Sequence, residues 1–187
     1  MSIAKPIEKY LKNAKIKYQI IPHKTVFTVY DLAQTLKVKL DQVVKTLLVK
    51  VDQKYVLVVM PAHYRMDFGK LKKLLKAKKV DIAKEKDMQT KFKTKPGAMT
   101  AFGPLHKLEV VADKSLNKTK EALFSAGSFT DSVRLKVKDY FSMVEPKVAD
   151  IGKKFPIKLQ IVKKAKPKKI HRKGRGKPKA KKSKRKK

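Results

Sequence analysis

Val43-Val44-Lys45-Thr46-Leu47-Leu48-Val49-Lys50-Val51, then Asp52-Gln53-Lys54, then Tyr55-Val56-Leu57-Val58-Val59-Met60 is the stretch on which the fold turns. β-branched and aliphatic residues dominate both runs, and a polar three-residue turn separates them. That pattern predicts a hairpin of two buried strands. Side chains alternate between the two faces of a strand. Val43, Lys45, Leu47, Val49 and Val51 therefore share one face, and Val44, Thr46, Leu48 and Lys50 share the other. Lys45 falls on the row that is otherwise wholly apolar. A lysine facing inward carries a desolvation cost unless an anion or a polar pocket meets it. Two readings stand: Lys45 sits at the strand end and extends its ammonium to water, or it lines a functional pocket.

Working outward, the chain alternates helices and strands. Ile3, Ile7, Leu11 and Ala14 recur at helical spacing, and Tyr18 to Pro22 reads as a short strand. Thr28-Val29-Tyr30-Asp31 is a capping signal for a helix continued by Leu32, Ala33 and Leu36. Asp67 to Leu75 is expected as a helix with Phe68, Leu71, Leu74 and Leu75 as its core stripe. Asp81 is expected to cap a further helix running to about Phe92. Gly97 to Phe102 and Leu108 to Ala112 read as strands around a Gly103-Pro104 turn. Leu116 to Ala126 reads as a helix stopped by Gly127. Val133 to Val137 reads as a strand, and Asp139 to Val144 opens a last helix. This order predicts an α/β (mixed α+β) fold, a mixed sheet or barrel with flanking helices.

The composition narrows the partners. The chain has 187 residues, 42% hydrophobic, with a formal net charge of +35. Such a field attracts polyanions, whether RNA, DNA or an anionic membrane surface. Residues 163–187 hold 16 of the 50 Lys and Arg and no acid, leaving 34 basic against 15 acidic residues before them. That stretch has almost no aliphatic side chains, so it is expected to be a disordered basic tail. The expected division is a domain over 1–155 and a Lys/Arg-rich tail over 156–187. Without cysteine there is no thiol nucleophile and no disulfide, which fits a cytoplasmic protein. No apolar run is long enough for a membrane helix.

The familiar catalytic signatures are missing: no phosphate-binding G-x-x-x-x-G-K-[ST] loop, no H-E-x-x-H and no G-x-S-x-G. His23, His63, His106 and His171 lack metal-ligand spacing. His63 and His106 are expected to be exposed, while His23 ends a strand beside a polar segment. The stretch from Lys95 to Leu105 carries Gly97 and Gly103 among small residues. Glycines let a backbone approach a ligand closely, so its amides could face a carbonyl or phosphate oxygen; an ordinary Gly-rich connection fits equally.

Together, Val44-Lys45-Thr46-Leu47-Leu48-Val49, Tyr55 to Ala62 and Pro96 to Pro104 resemble the YbaK/prolyl-tRNA synthetase editing-domain family of free-standing aminoacyl-tRNA deacylases. His23-Lys24 with Thr28 to Asp31 is similar to the family's entry segment. Leu108 to Asp113, Phe124 to Gly127 and Lys138 to Phe141 follow its order. The resemblance covers about residues 1–152. It implies a YbaK-like mixed β-barrel or sheet surrounded by helices, and hydrolysis of the ester of mischarged tRNA without metal or other cofactor. It also implies catalytic roles for Lys45 and Gly97, with Lys45 holding the 3′ end as a fixed cation. His23, Thr28, Thr46, Ala98, Met99, Thr100, Ala101 and Gly103 are implied as substrate-binding residues. Two departures stand out: Ala101 replaces the proline of the family's G-x-x-x-P element, and the late strand 133–137 has no histidine.

The implied partner is mischarged tRNA met by a monomer away from the membrane, with an aminoacyl-tRNA synthetase or the ribosome as further partners. Lys168, Lys169, Arg172, Arg175, Lys181, Lys182 and Arg185 are expected to add sequence-independent phosphate contacts from the tail. The competing reading is a non-catalytic RNA- or DNA-binding protein on the same scaffold.

Overall fold

The computed structural model describes residues 3 and 5–155. The expected disordered tail and its seven named basic residues lie outside them. The helices are α1 (Lys5–Asn13), α2 (Val29–Leu36), α3 (Phe68–Leu74), α4 (Glu85–Phe92) and α5 (Val137–Val144). The strands are β1 (Tyr18–Pro22), β2 (Val44–Val51), β3 (Lys54–Pro61), β4 (Tyr64–Met66), β5 (Val80–Ile82), β6 (Glu109–Asp113), β7 (Glu121–Ser125), β8 (Asp131–Lys136), β9 (Lys147–Ala149) and β10 (Gly152–Lys154). Short 3₁₀ turns occupy Leu40–Gln42, Gly103–His106 and Lys114–Lys118.

The β2–β3 hairpin forms as its alternation requires, with Val44 opposite Pro61 and Val51 opposite Lys54. It is the centre of a five-stranded sheet ordered β5-β2-β3-β6-β9, in which β3–β6 and β6–β9 run parallel. Both faces of this sheet are covered, which explains the near-continuous apolar runs. On one face Val44, Leu48, Leu57 and Val59 pack with α1, α5 and the buried side of β7–β8. On the other, Val49, Val51, Val58 and Met60 pack with Leu71 of α3 and Ile151. A second sheet, β1-β8-β7, is antiparallel throughout. The two sheets meet at a single parallel bridge, Val43 to Leu123. They do not close into a barrel, so the fold is the sheet alternative of the expectation.

Local signals were decisive where they close within a few residues. The Thr28 hydroxyl accepts the Asp31 amide and caps α2. Ile7 and Leu11 make the buried stripe of α1, and Glu8 pairs with Lys12 on its wet side at 2.7 Å.

Several expectations are corrected. Leu116 to Ala126 is not a helix but a 3₁₀ turn followed by β7. Asp113 captures the Ser115 amide at 2.9 Å and starts the turn. The run Ala122-Leu123-Phe124 is buried on both faces, so it lacks the alternation that marks a strand. Gly127, at φ +72°, ends the strand connection rather than a helix. Asp81 caps nothing: it lies in β5 opposite Lys50, and α4 begins after Lys84 without a side-chain cap. Gly97 to Phe102 is irregular rather than a strand, because Gly97 adopts φ +84° and turns the chain out of any ladder. Phe68 is 45% exposed, since α3 spans barely two turns and buries only Leu71 fully. His63 and His106 are half-buried, packed edge-on against Tyr64 and Phe92 respectively. Burial lowers the pKa of His106.

Candidate active site

Beyond the Val43–Leu123 bridge the two sheets part, and a wedge opens between the start of β2 and the β7–β8 end that carries Ser125 and Ser132. β5 covers only Val49 to Val51 of β2, so the β2 edge from Val44 to Leu47 has no strand beside it there. The wedge is a cavity of about 260 Å³. α2 and the segment before it wall one side, and Gly97 and Met99 border another.

The cavity reaches both faces of β2 around its open edge. Thr46 and Lys45 project to opposite faces, yet both line it. The Thr46 hydroxyl oxygen is buried and has no partner among the described residues. The Lys45 ammonium is half-buried and donates to the Tyr64 carbonyl. Burial lowers the Lys45 pKa, and the nearby Arg65 charge lowers it further. Lys45 is therefore a partly desolvated cation held by one carbonyl, not a lysine free in water.

His23 follows β1 directly, and its amide donates to the Thr130 carbonyl at 2.8 Å. This continuation of the β1–β8 ladder sets its side chain diagonally across from Ser132. His23 Nδ1 lies 2.9 Å from the Lys24 carbonyl, and Nε2 lies 3.0 Å from Ser132 Oγ. A carbonyl only accepts, so Nδ1 carries a proton, and in the neutral ring Nε2 is the acceptor. The Ser132 hydroxyl then donates to Nε2. Both side chains line the cavity.

Gly97 is demanded sterically as well as by its φ. A Cβ there would lie 2.8 Å from the Phe27 carbonyl oxygen. The glycine lets the 97–102 segment press on the chain that carries Phe27. The Phe27 ring is 67% exposed at the cavity and tilts against Phe129 with centroids 5.1 Å apart. Among the described residues, no hydrogen bond takes up the amides of Gly97 or Met99.

Of the residues singled out in the sequence, His23, Thr28, Lys45, Thr46, Gly97 and Met99 converge on this cavity. Thr28 does so with its hydroxyl already engaged by Asp31, whose carboxylate accepts from it at 2.8 Å. Ala98, Thr100, Ala101 and Gly103 are buried behind it. Thr100 donates to the Ser125 carbonyl at 3.3 Å and accepts the Phe102 amide. Ala101 gives its amide to the Ser125 carbonyl at 3.2 Å, a bond that proline could not make. A Cβ on Gly103 would overlap Val110 at 2.3 Å, so that glycine serves packing of the turn on β6. Sequence reasoning missed Ser125, Ser128, Ser132 and Phe27. Ser132 carried one faint signal, a small polar residue in a strand of inward-facing aliphatics.

The larger depression, about 1060 Å³, lies elsewhere and contains none of these residues. It is an open lysine-lined trough without convergent acid–base groups, so the smaller cavity is the better candidate for chemistry. No helix among the described residues is long and apolar enough to cross a membrane.

Comparison with known proteins follows the same geometry. Residues 23–143 match the family described as aminoacyl-tRNA editing domain. The chain is 30% identical over 112 residues to the prolyl-tRNA editing protein ProX of Acetoanaerobium sticklandii, covering 57% of this chain and 68% of that one. It is 31% identical over 91 residues to the proline–tRNA ligase of Macrococcus caseolyticus, but spans only 16% of the ligase's length. The fold matches that of the hypothetical protein APE2540, with TM-score 0.73 at 20% identity over 80% of this chain and all of that chain. It also matches a candidate trans-editing enzyme for prolyl tRNA synthetase, with TM-score 0.67 at 18% identity over 81% of this chain and 99% of that chain.

Proposed function

The chain belongs to the aminoacyl-tRNA editing domain family, and from that premise we propose that it is a deacylase acting in trans, hydrolysing the ester between an amino acid and the 3′ end of a mischarged tRNA. The observation that carries this reading is the His23–Ser132 pair, set in one cavity with Thr46, Gly97 and Lys45.

Each group has a task. Pockets for whole small-molecule ligands run to roughly 300–1,000 Å³, so a cavity of about 260 Å³ suits the aminoacyl group alone. Val26, Val29, Leu32, Val44 and Met99 give it apolar walls, which favours a small apolar side chain. The terminal adenosine then stays at the mouth, where the exposed face of Phe27 can stack on the base. The Lys45 ammonium anchors the oxygens of the 3′ end.

Hydrolysis adds water across the ester. His23 Nε2 takes a proton from the attacking water, directly or through the Ser132 hydroxyl. The water oxygen bonds to the carbonyl carbon, and the carbonyl oxygen gains negative charge. The Gly97 and Met99 amides, which no hydrogen bond among the described residues takes up, are the donors proposed to receive it. The carbon–ribose oxygen bond then breaks, the proton returns to the ribose oxygen, and free amino acid leaves. An aminoacyl ester is already activated, so positioning and oxyanion stabilisation suffice without a covalent intermediate.

Relatives named for prolyl-tRNA editing make mischarged proline tRNA the first substrate to test. Wild type is expected to release the amino acid from at least one such tRNA. Lys45→Ala is expected to lose most of that activity while melting as wild type does. A wild type inert toward a full panel of mischarged tRNAs, while still binding them, would replace the enzyme with a non-catalytic RNA binder. A Lys45→Ala variant of full activity would remove Lys45 from the site.

A further inference from the structure

The trough and the cavity share one sheet face. In an antiparallel ladder, directly opposed side chains project to the same side. Glu121–Lys136, Leu123–Arg134 and Ser125–Ser132 are opposed on β7 and β8 and alternate with the core-facing pairs. The Ser125–Ser132 pair borders the cavity, and the Glu121–Lys136 pair borders the trough. The two pairs lie four positions apart along each strand, which at strand rise is about 13 Å. Leu123 and Arg134 line a small depression between the two.

The trough is built from separate parts of the chain. Lys39 comes from the approach to the first 3₁₀ turn, Lys118 and Lys120 from the approach to β7, and Lys136 and Lys138 from the β8–α5 junction. All five are exposed. Among the described residues, none of their ammonium groups has a carboxylate within ion-pair distance. Only Asp41 and Glu121 oppose them on the trough walls. A basic residue anywhere on this chain is unremarked, given its composition. Five unpaired lysines converging on one concavity, in line with the cavity, are another matter.

The occupant should be an elongated polyanion whose end can reach the cavity. A lipid surface would need a flat or convex, apolar-rimmed face, and this one is concave. Duplex RNA is recognised through its phosphates and 2′-hydroxyls rather than its bases. Lysines supply the first contact, and Asn117, Thr119 and Ser142 on the same walls suit the second.

We propose that this trough is a phosphate track for the paired stem of the tRNA, from which the unpaired 3′ end passes over the layer that covers Leu123 to reach the cavity. This rests on the deacylase reading above. The test uses the full chain, wild type against the fourfold variant Lys118→Ala, Lys120→Ala, Lys136→Ala, Lys138→Ala. Binding of uncharged tRNA is followed over a range of salt, and hydrolysis is followed on charged tRNA and on an aminoacyl ester of adenosine, which has no stem.

Each lost phosphate contact flattens the log–log salt dependence by roughly 0.7–0.9. The variant's slope should therefore fall by about 3, with KM for charged tRNA at least tenfold higher and adenosine-ester hydrolysis unchanged. The double variant Lys120→Glu, Lys138→Glu should weaken tRNA binding further than the matching double alanine variant. An unchanged slope would overturn the track. So would an equal loss of affinity for duplex DNA of similar length, which would make the trough a general polyanion face. A wild type that hydrolyses neither ester would refute the deacylase reading, while the slope comparison would still decide whether RNA lies in the trough.

Discussion

The Tyr140 hydroxyl donates to the Ala101 carbonyl at 2.7 Å, in a part of the core where neither residue reaches solvent. Tyr140 also stacks on Phe124, with centroids 4.2 Å apart. Burial raises the phenol's pKa well above its ordinary value, so it stays a donor. The segment from Gly97 to Phe102, irregular and without a ladder, is thus pinned from behind at Ala101. Tyr140→Phe should orphan that carbonyl, at about 1–3 kcal/mol, measured by urea unfolding. Activity should fall more than stability alone explains, because Gly97 and Met99 belong to the same segment.

Lys45 links the site to pH. Its pKa in the fold lies below the ordinary lysine value of 10.5. Between the two values the unfolded chain binds more protons than the folded one, so this group makes stability rise with pH through that window. Below the window its destabilising effect is full. Lys45→Met should therefore be at least as stable as wild type at neutral pH, and the stability difference should shrink toward pH 10.5. Urea unfolding at a series of pH values checks the sign. A difference that grows with pH would contradict the desolvated cation.

His23 and Ser132 separate acid–base chemistry from binding. His23→Ala should lower kcat by roughly 10²–10⁴-fold, with KM nearly unchanged. Ser132→Ala should cost less, because Nε2 remains available to water. Single-turnover deacylation at saturating enzyme reads both. Equal losses in the two variants would instead make the hydroxyl an obligatory relay.

Phe27 is exposed for its size and is steadied by Phe129. Base–aromatic stacking is worth about 1–3 kcal/mol. Phe27→Ala should raise KM for charged tRNA between about fivefold and a hundredfold, and Phe27→Tyr should restore it. An unchanged KM would place the terminal base elsewhere.

Asp113 is a structural control. This buried carboxylate accepts the Ser115 amide at 2.9 Å and the Ile151 amide at 3.0 Å, as well as the Ser115 hydroxyl. It ties β6 to the segment before β10. Asp113→Ala leaves those amides unpaired and should cost about 2–5 kcal/mol, seen as a lower unfolding midpoint with the remaining folded enzyme fully active.

What was legible in the sequence was whatever closes locally. The period-two runs made β2 and β3, the Thr28–Asp31 spacing capped α2, and the lysine content set a positive field that favours polyanions. Lys45 was visible because one charge on an apolar row breaks a pattern only two residues long. Other features answer to groups far along the chain. Ala122 to Phe124 became a strand because two different layers cover its faces, which no local period records. His23 and Ser132 stand 109 residues apart. Their hydrogen bond, and the Nδ1 tautomer that the Lys24 carbonyl imposes, exist only once β1 has paired with β8. Sequence alone determined the β2–β3 hairpin, the Thr28 cap and the charge, since these depend on neighbours within a turn or a pleat. The tertiary structure decided where the two sheets part. A cavity is the space that packing leaves unfilled, and its position depends on every element around it.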